Sequence, residues 1–177
     1  MHSAVIKSIL CAGLYPNVAA AIEGTIGLPP GSNTPPSKIM STADWPLWFD
    51  GKREVHIHPS SLNHNIKDPE YPFLVFLEKV ETSKVFLRGT SIISPYSLLL
   101  FGGSISVQHQ MGVVVIDGWL KLTAPAQIAV LFKELRSALH AVLKDLIRKP
   151  EVMTVSSKEV VKTIIKLLVE EKASHFS

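Results

Sequence analysis

The sequence predicts an α+β fold, a small antiparallel β-barrel flanked by an N-terminal helix and two C-terminal helices. Three observations lead there. Between residues 45 and 124, short alternating or apolar runs recur at close spacing with turn residues between them, the pattern of a small barrel or sandwich. From Ala126 onward the apolar positions change to a helical period. A separate helical stripe occupies the first residues, ahead of a stretch rich in proline and glycine.

In the opening helix Val5, Ile6, Ile9, Leu10 and Leu14 recur at helical spacing, punctuated by Gly13 and Pro16. Almost nothing precedes this apolar stripe for it to pack against, so the chain reads as cut from something larger. Residues 24–44 contain two Pro-Pro pairs and read as a connector. Asp50-Gly51 then stands between Trp48-Phe49 and the alternating run Arg53 to His58, which predicts a hairpin with positive φ at both turn residues. A second pair of strands is expected over Phe73–Val80 and Lys84–Arg88, the first buried on both faces. Pro95 opens a short apolar segment ending at Gly102-Gly103, and brief strands follow near Val113–Ile116 and Trp119–Leu122. In the first C-terminal helix Ile128, Leu131, Phe132, Leu135, Leu139, Val142, Leu143 and Leu146 keep a helical period, with Pro125 in its first turn. Pro150 ends it, and Ser156 with Glu159 form a capping box for the last helix, whose stripe is Val160, Ile164, Leu167 and Leu168.

With 177 residues, 46% hydrophobic and 19% charged, the chain is ordinary globular material and long enough to bury a core. A formal net charge of +3 permits contact with nucleic acid without demanding it, since phosphate binding depends on where cations cluster. Cys11 is the single cysteine, which rules out an internal disulfide and fits a reducing compartment. In its apolar run it reads as a buried thiol. No apolar run reaches the roughly 18–20 residues of a membrane span. Residues 4–22 come closest but are broken by Lys7, Pro16 and Asn17, so no membrane partner is expected. The expected location is intracellular, the cytoplasm ahead of the nucleus or an organelle.

Motifs for catalysis are missing. There is no Gly-x-x-x-x-Gly-Lys-Ser/Thr loop to cradle phosphates, no Gly-x-Ser-x-Gly elbow and no His-Glu-x-x-His pair. The chain is not expected to be an enzyme. His56, His58 and His64 with Glu54 are the one group resembling metal ligands, but their spacing matches no zinc module and they weigh as ordinary strand histidines. The run Glu81 to Arg88 is more suggestive. Were it extended, Thr82, Lys84, Phe86 and Arg88 would share one face, offering hydroxyls and cations for phosphates and a ring for base stacking. The competing reading, evenly weighted, is a half-exposed strand with Phe86 in the core.

Several segments, in order, resemble one family. They are Cys11-Ala-Gly-Leu-Tyr-Pro-Asn-Val-Ala19, His56-Ile-His-Pro-Ser-Ser61, Phe73-Leu-Val-Phe-Leu-Glu-Lys-Val80 with Thr82-Ser83-Lys84, and Ser94-Pro-Tyr-Ser-Leu-Leu-Leu-Phe-Gly-Gly103. Together with Ile116-Asp-Gly-Trp119 and the Ala124-Pro125 to Arg136 segment, they resemble the C-terminal region of DEAH/RHA-type RNA helicases, in the branch of translation-associated and multi-domain RHA-like members. The resemblance runs from about Val5 to Glu171. It implies an oligonucleotide-binding (OB) fold over 45–124, with 1–22 as the tail of a helical domain, 23–44 as a linker longer than is usual in the family, and 125–177 as a helical extension.

In such helicases the barrel packs over two motor domains, helps form the entrance to the RNA tunnel and in some members receives an activator protein. By resemblance, His58, Ser60, Thr82, Ser83 and Lys84 are the residues expected to contact single-stranded RNA. Arg88 joins them on the strand-face argument. Both motor domains are absent, so ATP and magnesium belong to a longer parent and no cofactor is expected here. The expected role is a non-catalytic RNA-binding and regulatory module. Its rival is a protein-interaction domain docking on motor domains or an activator, for which the apolar stripes at 5–14 and 128–146 argue.

Overall fold

A computed structural model describes residues 2–21, 46–108 and 112–174. The linker expected at 23–44 lies outside them. The elements run α1 (His2–Leu14), β1 (Val18–Ala21), β2 (Trp48–Phe49), β3 (Glu54–Ile57), β4 (Phe73–Val75), β5 (Glu78–Glu81), β6 (Val85–Arg88), β7 (Ser91–Ile92), α2 (Pro95–Phe101), β8 (Ile105–Gln108), β9 (Val113–Ile116), β10 (Leu120–Thr123), α3 (Ala126–Arg148) and α4 (Val155–Ser174). The fold is α+β, an OB-fold sheet with flanking helices, as the sequence predicts.

The sheet departs from the expected closed antiparallel barrel. Seven strands follow the order β5-β6-β3-β2-β1-β4-β7, and the β3–β6 pair is parallel. No closed ladder forms among the described residues; covalent continuity does part of that work. The apolar run expected as one strand from Phe73 to Val80 bends at Phe76-Leu77, giving β4 and β5. The Phe76 N–H donates to the Asn17 carbonyl beside β1 (3.0 Å), while the next N–H, of Leu77, donates to Arg88 at the end of β6 (3.0 Å). One chain segment thus passes from one side of the sheet to the other.

β1 was not legible in the sequence, yet it lies in the middle of the sheet, paired with β2 and β4. Its four small apolar residues are all buried. Alternation along a strand sends neighbours to opposite faces, and here both faces are covered. Val18 and Ala20 join Phe73 and Val75 of β4 in a core shared with the helices, whereas Ala19 and Ala21 join Leu74 and Phe76 in a second core inside the curved sheet. The first core also gathers Cys11, Leu98, Ile116, Leu120, Phe132, Ile164 and Leu168, so all four helices and the β8–β9–β10 meander close over it.

Local signals explain the ends of the elements. Ser94 caps α2, its hydroxyl accepting from the Ser97 N–H (3.2 Å), with Pro95 at the first helical position. α3 begins at Ala126 as predicted, with Pro125 at the cap position. The capping box expected of Ser156 and Glu159 is not the one formed. Thr154 caps α4 by accepting from the Ser157 N–H (3.1 Å), and Glu159 pairs with Lys162 (3.0 Å). At the Asp50-Gly51 hairpin only Gly51 takes positive φ (+89°); Asp50 instead accepts the Lys52 and Arg53 N–H groups, each at 3.0 Å, on its side chain. The double positive-φ turn occurs at Asp117-Gly118, between β9 and β10 (φ 51° and 78°). No described helix is long and apolar enough to cross a membrane.

Candidate nucleic-acid interface

The parallel pairing of β3 with β6 builds the site. His56 lies opposite Phe86 and Ile57 opposite Leu87, and the His58 N–H donates to the Leu87 carbonyl (2.9 Å). Val55, Ile57, Val85 and Leu87 are apolar and point into the second core. The intervening residues must therefore face outward. Phe86 is half-buried there, outside both cores, with the ring centroids of His56 and His58, both from the β3 side, 5.9 and 5.8 Å away. The rings form a row across two strands.

The predicted contact residues occupy the two ends of this row. At one end His58, Ser60 and Arg88 come together. The Ser60 N–H donates to His58 Nδ1 (3.1 Å), with the Ser60 hydroxyl 2.7 Å from the same nitrogen. That nitrogen is thus an acceptor, which puts the proton of a neutral ring on Nε2. The loop is fastened beneath, where Ser61 Oγ meets Thr90 Oγ1 (2.6 Å) and the Asn63 amide donates to the Thr90 carbonyl (2.7 Å).

Thr82, Ser83 and Lys84 hold the other end. They do not extend β6 as the strand-face argument supposed: Glu81 pairs with Val85, leaving the three as an exposed turn closed by Thr82 N–H to the Lys84 carbonyl (2.9 Å). Of the four residues expected on one extended face, Phe86 and Arg88 lie on it and Thr82 and Lys84 belong to the turn. The two ends stand about 13 Å apart at strand spacing.

Electrostatics divides the cations. Arg53 grips Glu81 with two hydrogen bonds (2.8 and 3.1 Å) and holds that carboxyl below its ordinary range. Lys79 pairs with Asp50. Burial pushes the Asp50 carboxyl up, but Lys79 and the Arg53 and Lys52 N–H groups outweigh it and leave it low. Arg88 lies 3.5 Å from Glu78 in an exposed pair, which is weak enough for a phosphate to displace. Among the described residues no ion pair engages Lys84. Within the same limit, no three His, Cys, Asp or Glu side chains are placed to hold a metal ion; His64 donates Nδ1–H to the Ile57 carbonyl (3.0 Å) and His56 lies 3.4 Å from Glu54.

Sequence reasoning missed that His56 and Phe86 are partners. The alternation at 55–58 showed His56 and His58 on one side, but nothing local reveals which strand lies beside them.

Comparisons with known proteins bear on the fold and the family. Residues 6–105 match the family described as the oligonucleotide/oligosaccharide-binding (OB)-fold, and residues 112–170 match the C-terminal domain in RNA helicases. The chain is 57% identical over 168 residues to the DExH-box ATP-dependent RNA helicase DExH4, chloroplastic, of Arabidopsis thaliana, covering 94% of this chain and 11% of that protein. It is 36% identical to the ATP-dependent RNA helicase DHX29 of Homo sapiens over 95% of this chain and 11% of the relative. To the ATP-dependent DNA/RNA helicase DHX36 of Homo sapiens it is 36% identical over 82% of this chain and 13% of the relative. The chain thus spans about a ninth of the length of the first of these relatives, and the match is confined to the OB-fold and C-terminal region, with no motor domain in it. With its sheet, its helical extension and both matches in chain order, the chain belongs to the C-terminal OB-fold region of the DEAH/RHA-type RNA helicases.

Proposed function

We propose that the chain is a non-catalytic RNA-binding and regulatory module, contacting single-stranded RNA where the strand enters a helicase tunnel. One observation carries this reading: the outward rings of Phe86, His56 and His58 gathered across β3 and β6, with Ser60 and Arg88 at one end and Lys84 at the other. Rings stack on bases, and flanking cations and hydroxyls take phosphates. Affinity is modest, because Arg88 shares a carboxylate and Arg53 and Lys79 are engaged. On this reading ATP and magnesium are bound by motor domains outside this chain, and the chain works inside the cell, in the cytoplasm.

The test titrates labelled single-stranded RNA with the full chain at two salt concentrations, read by fluorescence anisotropy. Binding strengthens at low salt. Lys84→Ala with Arg88→Ala weakens it and lowers the salt slope by about 0.7 per lost phosphate contact. Affinity unchanged by the double substitution, or no binding at low salt, overturns the RNA reading.

A second reading, docking on motor domains or an activator, has its own observation. Ile6 and Ile9 are 55% and 64% exposed on α1, and Ile147 is 82% exposed on α3. Pull-down with motor domains, in which Ile6→Ser with Ile9→Ser abolishes capture and leaves RNA affinity intact, identifies that role.

A further inference from the structure

β2 is two residues long and begins only at Trp48, whereas its partner β3 continues past Val55 to Ile57. The mismatch leaves a groove of about 440 Å³ on the β2 side of β3, lined by Leu47, Trp48, Glu54, His56, His64 and Ile66 among others. Its volume falls within the roughly 300–1,000 Å³ typical of small-ligand sites. Its chemistry is specific: apolar residues make up much of the wall, two imidazoles add flat surface, and one carboxylate supplies an acceptor. His64 is fixed by its Nδ1–H bond to Ile57 (3.0 Å). His56 belongs both to the groove and to the ring row, 5.9 Å from Phe86. A strand lying along that row therefore passes the mouth of the groove.

We propose that this groove is a subsite for a single unpaired nucleobase, selective for bases bearing an exocyclic amino group. The inference rests on the RNA-binding reading and adds base selection to it. Flat aromatic bases fit ring and apolar walls, since stacking is indifferent to sequence. Selection comes from Glu54, about half exposed and 3.4 Å from His56 Nε2. A carboxylate accepts the amino hydrogens of cytosine or adenine, but faces the O4 acceptor of uracil with nothing to donate. Phosphates stay outside, beyond His58 at the Ser60 and Arg88 end and at Lys84.

The experiment measures anisotropy of the full chain with three labelled strands of equal length, oligo-rC, oligo-rU and an abasic backbone, at low salt. Oligo-rC binds about tenfold tighter than oligo-rU, as one charge-assisted hydrogen bond allows. The abasic strand binds weakest. Glu54→Gln narrows the gap between oligo-rC and oligo-rU, because an amide donates to O4 as readily as it accepts. His56→Ala weakens both base-bearing strands and leaves the abasic strand unchanged. Equal binding of all three strands, or an oligo-rC preference that survives Glu54→Gln in full, overturns the subsite while the RNA-binding reading stands. Binding of none of the strands overturns both.

Discussion

At the scale of single residues, burial decides what each titratable group can do. Cys11 is fully buried and its Sγ lies 3.7 Å from the Ser97 carbonyl. Burial pushes its thiol up to about 12, so it is an inert core residue. Glu171 is the more consequential case. It is 6% exposed near the end of α4, and its Oε1 accepts from the Tyr96 N–H at the start of α2 (3.1 Å). Burial pushes its carboxyl up to about 7, against hydrogen bonds from Ser94 and Tyr96 that lower it, while Glu70 adds a smaller push upward. Because this value lies above the ordinary 4.5, the folded protein holds a proton that the unfolded chain has lost between the two. Stability from this group is complete below about pH 4.5, falls as pH rises through the window, and levels off above about 7. Glu171→Gln keeps the acceptor for Tyr96 and removes the charge. Thermal or urea unfolding near pH 8 should show the variant more stable, by on the order of 2–3 kcal/mol, with the advantage vanishing near pH 4.

At the scale of elements, caps and tight approaches set where strands and helices stop. Thr154 and Ser156 both precede acceptable helix starts, and the structure uses Thr154. Thr154→Ala should cost about 1 kcal/mol of stability by loss of the cap, and Ser156→Ala less than about 0.5, in parallel denaturant titrations. The two hairpin turns meet at Trp119: a Cβ on Gly51 would come within 2.9 Å of its ring, so the β2–β3 turn lies directly on the β9–β10 turn. Gly51 is required there for its left-handed φ of +89° and for the absence of a side chain.

At the scale of the whole molecule, β1 and β4 form a wall with a core on either side. Phe132 of α3 lies 4.7 Å, ring to ring, from Tyr96 of α2 and shares its core with Phe73. Ser8 of α1 contacts Ser97 of α2 (2.7 Å) and Glu171 of α4 reaches Tyr96, so three helices converge on one capped turn. Helices and sheet should therefore unfold together, in one transition. A chain ending at residue 124 would uncover that core and lose fixed packing, so near-UV circular dichroism should collapse and a hydrophobic dye should bind. Retention of native near-UV signal by the truncated chain would show the sheet to be independent.

Much of this was legible in the sequence because it depends on near neighbours. The periodicity at 128–146 and the β9–β10 strands are local patterns and appear where their residues predict, whereas the short apolar segment opened by Pro95 proves to be the helix α2, which the sequence reading did not expect. The missing phosphate loop is likewise a property of the residues alone. What only the tertiary structure decided are the features that depend on residues distant along the chain. Val18–Ala21 becomes a strand because β2 and β4 take up its hydrogen bonds and cores lie on both its faces. Phe73–Val80 bends because its N–H groups are claimed first by Asn17 and then by Arg88. His56 and His58 lie beside Phe86 because β3 and β6 pair in parallel across an intervening stretch that no local signal spans. Short-range sterics and periodicity act within a turn or two of chain. The ring row and the groove beside it depend on which strands become neighbours, and that is settled only when the whole core closes.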